Sequence, residues 1–309
     1  MKAIQIIDYG STDVLEMCEI SAPEVSYGEI KVKVKAVSIN PLDWKMRAGM
    51  FSQSMPLSFP AILGRDGSGV VKEVGEDAGK WRTGDEVSFM MPRGLGCYAE
   101  EIVIPFTHAV TKPDHIEVTE AAAYPLVAVT SWIAFLEEYT SGLKGKHILI
   151  HAGAGGVGSV AIQIARHLGA RVSTTCSAAN SDYVRSLGAE HVVAYDQEDF
   201  TLALSDVDVV YDTMGGDVHR KSYEVLKAGG HMTCINAAPI EDLSGQFRVS
   251  MTIVQVNDIA GALPKVAKMV ADKSLVPQVG TVLPFDQVVN AHRMLETGHA
   301  QGKVVLILE

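Results

Sequence analysis

The chain opens with segments of period two. Over residues 29–37, Ile30, Val32, Val34 and Ala36 alternate with lysines at 31, 33 and 35, the pattern of a half-buried strand. From Gly64 to Gly84 six glycines (64, 67, 69, 75, 79, 84) interrupt short valine-containing runs. That texture suits strands joined by tight glycine turns in an antiparallel, barrel-like domain. Near residue 120 the texture changes. Residues 119–136 are alanine-rich with helical periodicity, and strands then alternate with helices. The pattern predicts strands at 147–151, 170–175, 191–194, 208–211 and 231–235, and helices at 156–168, 182–187 and around 218–227. In the helix at 156–168, Val157, Val160, Ala161, Ile164, Ala165 and Leu168 share one face. Such alternation defines an α/β class with a doubly wound parallel sheet. A short strand between Pro277 and Pro284, a helix at 286–296 and a strand at 303–308 return to the first texture. The expected organisation is a doubly wound domain over 123–274, inserted into a β-rich domain built from 1–122 plus 275–309.

Composition narrows the class. A length of 309 residues accommodates two ordinary domains, and 47% hydrophobic with 20% charged residues is a globular balance. The formal charge of −11 lacks the basic footprint of nucleic-acid binding. No stretch approaches the roughly 18 apolar residues of a membrane span, and Asp8 and Gly10 interrupt the start before a signal-peptide core forms. A cytoplasmic location is the expectation. Cys18, Cys97, Cys176 and Cys234 stand singly and none of the ten histidines has metal-ligand spacing, so no metal site is expected.

The most informative segment is His147-Ile-Leu-Ile-His-Ala-Gly153-Ala-Gly155-Gly-Val-Gly158. It satisfies Gly-x-Gly-x-x-Gly between a predicted strand and a predicted helix, where the pattern marks dinucleotide binding in the Rossmann manner. Gly153 is expected to make the tight turn, Gly155 to admit a pyrophosphate to the backbone, and Gly158 to let helix and strand pack closely. A helix N-terminus then presents N–H groups and a positive dipole end to the phosphates. NADH-binding versions place an acid about 20 residues beyond the first glycine. Here Arg171-Val-Ser-Thr-Thr-Cys176-Ser177-Ala-Ala-Asn180 has no acid before Asp182. Ser177 and Asn180 can hydrogen-bond a 2′-phosphate, which favours NADPH over NADH, although no Lys or Arg stands beside them. The same two residues also suit a polar turn and helix cap.

These residues bring a family into view. The whole chain resembles the medium-chain dehydrogenase/reductase superfamily, in its zinc-independent quinone oxidoreductase and enone (alkenal) reductase branch. Asn40-Pro-Leu-Asp43-Trp-Lys45, Gly64-Arg-Asp66-Gly-Ser-Gly69, Gly84-Asp85-Glu-Val87, Leu126-Val-Ala-Val-Thr130, Asp208-Val-Val-Tyr-Asp212-Thr-Met-Gly215-Gly216 and Gly298-His-Ala-Gln-Gly302-Lys303 carry the resemblance in order. It implies a GroES-like barrel domain around the Rossmann domain. The superfamily's zinc enzymes have Gly-His-Glu where this chain has Gly64-Arg65-Asp66, together with a catalytic Cys near Leu42-Asp43 and a four-cysteine lobe. All three are missing, which implies chemistry without zinc. Position by position, the resemblance implies that Ser177, Asn180 and Tyr195 surround the 2′-phosphate. Gly155, Gly156 and Val157 would cradle the pyrophosphate, Thr130 would lie near the nicotinamide, and Asn40, Asp43 and Lys45 would line the active site. Several relatives carry a basic residue at Asn180, and many quinone reductases carry Tyr at Lys45.

The implied reaction is hydride delivery from NADPH to a quinone or an α,β-unsaturated carbonyl. Lys45 is the expected donor to the substrate oxygen, with Asp43 orienting it. Plainer readings stand beside these: Asn40 as a turn former before Pro41, Lys45 as a solvated lysine, Trp44 and Trp132 as core. Asp66 and Asp85, flanked by glycines, read as turn formers. The alternative function is an NADPH-binding structural or regulatory protein with little turnover. Residues 249–256, Val-Ser-Met-Thr-Ile-Val-Gln-Val, are β-branched and uncharged, and a homodimer through this edge strand is expected.

Overall fold

The computed structural model describes residues 1–136, 142–235 and 240–308. The first elements are β1 (Lys2–Ile6), β2 (Glu16–Glu19), β3 (Glu29–Ile39), α1 (Pro41–Arg47), β4 (Ala61–Ile62) and β5 (Asp66–Val74). Next come β6 (Glu86–Met90), β7 (Glu101–Pro105), β8 (Ala109–Thr111), α2 (Val118–Ala123) and α3 (Pro125–Leu136). The alternating region runs β9 (His147–Ile150), α4 (Gly156–His167), β10 (Arg171–Cys176), α5 (Ser181–Ser186), β11 (His191–Ala194) and α6 (Phe200–Ala203). It continues through β12 (Val207–Asp212), α7 (Gly216–Val225), β13 (Leu226–Cys234), α8 (Ser244–Phe247) and β14 (Ser250–Ile253). The chain ends with α9 (Ile259–Ala271), β15 (Val279–Pro284), α10 (Val288–Glu296) and β16 (Lys303–Ile307).

Two compact units result. One comprises Met1–Leu126, Ile259–Ala271 and Pro277–Glu309, the other Val127–Asp258 and Asp272–Val276. The expected inserted segment of 123–274 takes in α9. In the structure this helix clusters with the first unit, where it packs on β8 and the turn at Phe106–His108.

In the first unit the strands run β15-β16-β3-β5-β6-β8, with β7 also on β3. β3 is the hub, antiparallel to β5, β7 and β16. Its even-numbered apolar residues are buried as the alternation requires, and Lys33 is exposed. Lys31 departs from the pattern: it is buried, because it lies opposite Glu73 on β5 and pairs with it at 2.7 Å. Two glycines expected in turns lie instead within β5. A Cβ at Gly69 would stand 2.2 Å from the Lys33 carbonyl, and one at Gly67 2.5 Å from that of Ala36. The irregular β3–β5 register requires their small size. β15 and β16 pair in parallel, unlike the rest of this sheet, because α10 provides the crossover between them.

The second unit has a six-stranded sheet, β11-β10-β9-β12-β13-β14, parallel throughout. This is the doubly wound fold with its helical crossovers. The strand order reverses between β9 and β12, and a ligand crevice forms beyond the carboxyl ends of strands at such a point. Leu149, Val193, Val210, Tyr223 and Met232 belong to its core. Among the described residues no helix is long and apolar enough to cross a membrane.

Candidate functional site

In the second unit the glycine loop follows β9 directly. Ala152 takes the left-handed conformation, with φ 52°, and Gly155 opens α4 in an extended conformation without any side-chain cap. The first N–H groups of a twelve-residue helix are therefore not claimed by a capping side chain. The glycines divide the work differently from expectation. The turn conformation falls on Ala152, whereas Gly153 is needed because a Cβ would lie 2.1 Å from Thr174 Oγ1. Gly158 keeps its expected packing role, since a Cβ there would sit 2.2 Å from the Ala152 carbonyl. At Gly155 a Cβ would meet nothing nearer than the Ala152 carbonyl at 3.3 Å. Beyond that one close carbonyl no atom lies within 4 Å, so Gly155 is the most open of the three motif glycines, as a bound group at the backbone requires.

Two buried histidines fix α7 beside this loop. Ser222 Oγ donates to the Val218 carbonyl at 2.6 Å, so it accepts from His151 Nε2 at 2.8 Å. His151 Nδ1 is then the acceptor for Thr175 Oγ1 at 3.1 Å, and that oxygen accepts the Ala152 N–H at 3.2 Å. One neutral imidazole thus couples α7 to the turn residue, and burial drives its pKa down to about 4. His219 is the opposite case. Its Nδ1 faces Asp212 Oδ2 at 2.8 Å and its Nε2 faces the Glu241 carbonyl at 2.8 Å, so both ring nitrogens carry protons. Burial opposes that charge, but the Asp212 and Glu241 hydrogen bonds outweigh it and the pKa is raised. Cys234 Sγ lies 3.7 Å from His219 Nδ1. Asp212, His219 and Cys234 thereby bring ligand-type atoms within 4.8 Å of one another, a grouping invisible in linear spacing. With both imidazole nitrogens engaged as donors, the group is a buried ion pair beside a thiol.

At the carboxyl ends of β10 and β11 the register sets Cys176 beside Ala194, which makes Ser177 and Tyr195 neighbours. Asn180 Nδ2 donates to Ser177 Oγ at 3.0 Å, and the Tyr195 side chain is exposed. The sequence reading missed one acid: Asp196 Oδ1 accepts the Ala178 N–H at 2.8 Å. It reaches this turn from the adjacent strand's end. Thr130 lies half-buried on α3.

In the first unit Asn40, Asp43 and Lys45 all fall at α1. Asn40 is its N-cap and Pro41 its first residue. Asp43 Oδ2 reaches back to the Asn40 N–H at 2.8 Å. The Asn40 amide is held at both ends: Lys303 Nζ donates to its Oδ1, and its Nδ2 donates to Asp66 Oδ1 at 2.9 Å. Lys303, fully enclosed, also donates to the Ile39 carbonyl at 3.2 Å, and burial lowers its pKa. Asp66 accepts from Ser38 Oγ and from the Leu126 N–H as well. It is a buried acceptor at the centre of a network, not the turn former expected, whereas Asp85 does close a turn on the Arg82 N–H.

Asp43 is also buried, and burial raises its pKa to about 6 against the stabilising Asn40 N–H and the Tyr98 hydroxyl at 2.9 Å. Both of these donors bind the same oxygen, Oδ2. The expected Asp43–Lys45 partnership is thus not the one that organises this carboxylate. Lys45 is half-buried, its Nζ 5.6 Å from the Trp44 ring centre, and burial lowers its pKa. Ser38, Tyr98, His292 and Lys303 complete the cluster. The sequence reading did not single them out, and the usable signals were faint: a lysine opening the apolar run Lys303-Val-Val-Leu and an acid heading β5.

Comparison with known proteins defines the family. Residues 26–114 match the family model of the alcohol dehydrogenase GroES-like domain, and residues 187–306 that of a zinc-binding dehydrogenase. The chain is 33% identical over 319 residues to a 2-methylene-furan-3-one reductase of Solanum lycopersicum, covering 99% of this chain and 79% of that protein. It is 34% identical over 317 residues to a chloroplastic NADPH-dependent alkenal/one oxidoreductase of Arabidopsis thaliana, with the same coverages of 99% and 79%. The solved quinone oxidoreductase of Coxiella burnetii superposes with a TM-score of 0.88 at 33% identity, over 100% of this chain and 99% of that one. These relatives are oxidoreductases, and the chain shares their fold over its full length. The chain belongs to the medium-chain dehydrogenase/reductase superfamily, in its quinone oxidoreductase and enone reductase branch.

Proposed function

We propose that this protein is an NADPH-dependent reductase that passes hydride, without zinc, to a quinone or an α,β-unsaturated carbonyl. The observation that carries the reading is the bare Gly155 at an uncapped helix N-terminus on the sheet's reversal point. Gly155, Gly156 and Val157 hold the pyrophosphate with backbone N–H groups, and Gly153 and Gly158 keep the loop close enough to do so. Ser177, Asn180 and Tyr195 offer hydroxyl and amide donors to a 2′-phosphate, and no carboxylate belongs to residues 171–181. Thr130 lies near the nicotinamide, which when bound supplies the hydride. Lys45, partly desolvated and therefore a stronger electrostatic donor than a solvated lysine, receives the substrate oxygen as charge develops.

Zinc-free chemistry rests on residue types. Arg65 occupies the position where the zinc enzymes of the superfamily place a histidine ligand, and a guanidinium has no lone pair to give a metal. A cytoplasmic homodimer, paired through β14, belongs to the same reading. NADPH oxidation followed at 340 nm with a panel of quinones and enones tests it. Turnover with a subset of these acceptors, at a metal content well below one per chain, is the expected outcome. Tight NADPH binding with no turnover on any acceptor would support the binding-protein alternative instead.

A further inference from the structure

His151, the first residue after β9, joins the two halves of the parallel sheet at its reversal point. Its backbone faces β12: the N–H donates to the Tyr211 carbonyl at 3.2 Å, and its own carbonyl accepts from Thr213 Oγ1 at 2.9 Å. Its ring is buried edge-on against Phe200, with 4.8 Å between the ring centres. The two ring nitrogens serve different elements: Nε2 meets Ser222 on α7, and Nδ1 meets Thr175 near the end of β10. Ser222 fixes the tautomer. Its hydroxyl proton is committed to the Val218 carbonyl, so the imidazole proton sits on Nε2 and the lone pair on Nδ1.

The glycine loop depends on that lone pair. By taking the Thr175 hydroxyl proton, Nδ1 turns the threonine oxygen's own lone pair toward the Ala152 N–H, 3.2 Å away. Ala152 is left-handed, a conformation unfavourable for a residue with a Cβ, so it needs a hold from outside the turn. The rest of the loop is registered on this one residue. Its carbonyl accepts the Gly155 N–H at 3.0 Å, and a Cβ at Gly158 would stand 2.2 Å from the same oxygen. The next N–H, that of Gly153, is held by the Thr175 carbonyl at 2.9 Å. We propose that His151 and Thr175 are positioning residues for the nucleotide. The imidazole lone pair keeps the left-handed turn in the shape that receives the pyrophosphate, while the imidazole N–H docks α7. Both side chains act through Ala152. The inference rests on the NADPH reading above.

Two near-isosteric substitutions divide the ring. Asparagine puts its carbonyl oxygen near the Nδ1 position, and glutamine puts its amide nitrogen near the Nε2 position. His151→Asn therefore keeps the acceptor for Thr175 and gives up Ser222, and His151→Gln does the reverse. The test measures NADPH affinity by fluorescence titration and the melting temperature without nucleotide. It covers wild type, both variants, Thr175→Val and the double variant His151→Gln/Thr175→Val. Both His151 variants should melt earlier than wild type. Only His151→Gln should lose affinity, by roughly 5- to 10-fold, the worth of one hydrogen bond, with His151→Asn within about twofold of wild type. Thr175→Val should bind at least as weakly as His151→Gln, and the double variant little more weakly than Thr175→Val, because both cut one relay. Affinity that falls alike in both His151 variants along with their melting temperatures is the mark of a merely structural role and overturns the inference. So do losses that multiply in the double variant. Imidazole nitrogen-15 NMR provides a second readout that needs no nucleotide. It should show a neutral ring with its proton on Nε2 from pH 6 to 8, consistent with a pKa held down to about 4 by burial. A proton on Nδ1 leaves Thr175 without its acceptor and overturns the inference alone. Wild type with no measurable affinity for NADPH overturns the NADPH reading together with it.

Discussion

Substituting alanine at Gly153 and at Gly155 separates packing from ligand binding within one loop. At Gly153 the new methyl carbon would lie 2.1 Å from Thr174 Oγ1 and 3.0 Å from Ile162 Cδ1. Thr174 has no easy escape, because the same oxygen donates to the Ile150 carbonyl at 2.7 Å. Overpacking of this kind costs about 1–3 kcal/mol, and breaking the threonine bond adds about 1. At about 2–4 °C per kcal/mol, the melting temperature should fall by roughly 5–15 °C. At Gly155 the backbone has φ −78° and ψ 175°, ordinary for alanine, and the nearest atom is 3.3 Å away. The tight approach to the Ala152 carbonyl should cost up to about 1 kcal/mol, well short of the loss at Gly153. The methyl would instead fill the face offered to the pyrophosphate, weakening NADPH binding by about 10- to 100-fold, or about 1.4–2.8 kcal/mol. Differential scanning fluorimetry without nucleotide and a fluorescence titration of NADPH read the two effects separately. Gly155→Ala melting as early as Gly153→Ala, or binding NADPH as wild type does, would refute the division of roles.

Three further outcomes follow from other parts of the molecule. The raised pKa of His219 means that its pairing with Asp212 stabilises fully below the unfolded histidine value near 6.5 and fades as pH rises through the folded value. The stability gap between wild type and His219→Gln, read from urea midpoints, should therefore be widest near pH 6 and narrow toward pH 9; a gap that widens with pH contradicts the charged-pair assignment. Asp196→Asn removes the carboxylate held against the Ala178 N–H and should tighten NADPH by about 3- to 10-fold while leaving NADH nearly unchanged; equal shifts for both nucleotides would place the 2′-phosphate elsewhere. Ile253, partly exposed on the edge strand β14, should when changed to Lys convert a dimer into a monomer in light scattering; a wild type already monomeric at micromolar concentration removes the edge-pairing proposal.

The parts of this molecule legible in its sequence are those set by short-range periodicity. The glycine loop and the lysine-striped β3 announce themselves within about a dozen residues and each βαβ unit within about 30, and the structure places them where the pattern does. Helix α9 is not legible, because Pro264 within it is a local breaker that tertiary packing on β8 overrides. The α1 cluster was half legible. Asn40, Asp43 and Lys45 lie together in sequence, but their partners are 26, 55 and 263 residues away in Asp66, Tyr98 and Lys303. Nothing in linear spacing encodes such distances. Asp196 is illegible for a related reason: an acid at this turn is expected along β10, whereas sheet register brings one across from β11.

The Lys303–Asn40 contact also bears on how the protein comes to life on the ribosome. Asn40 emerges early, yet its amide acquires its cationic partner only after 263 further residues have been added. At about 5–20 residues per second that interval is roughly 13–50 s. During it the whole inserted unit has been synthesised and has had time to fold, while the first unit still lacks the strand that seats its polar centre. The inserted unit, glycine loop included, is therefore complete in sequence before Asn40 meets its cationic partner.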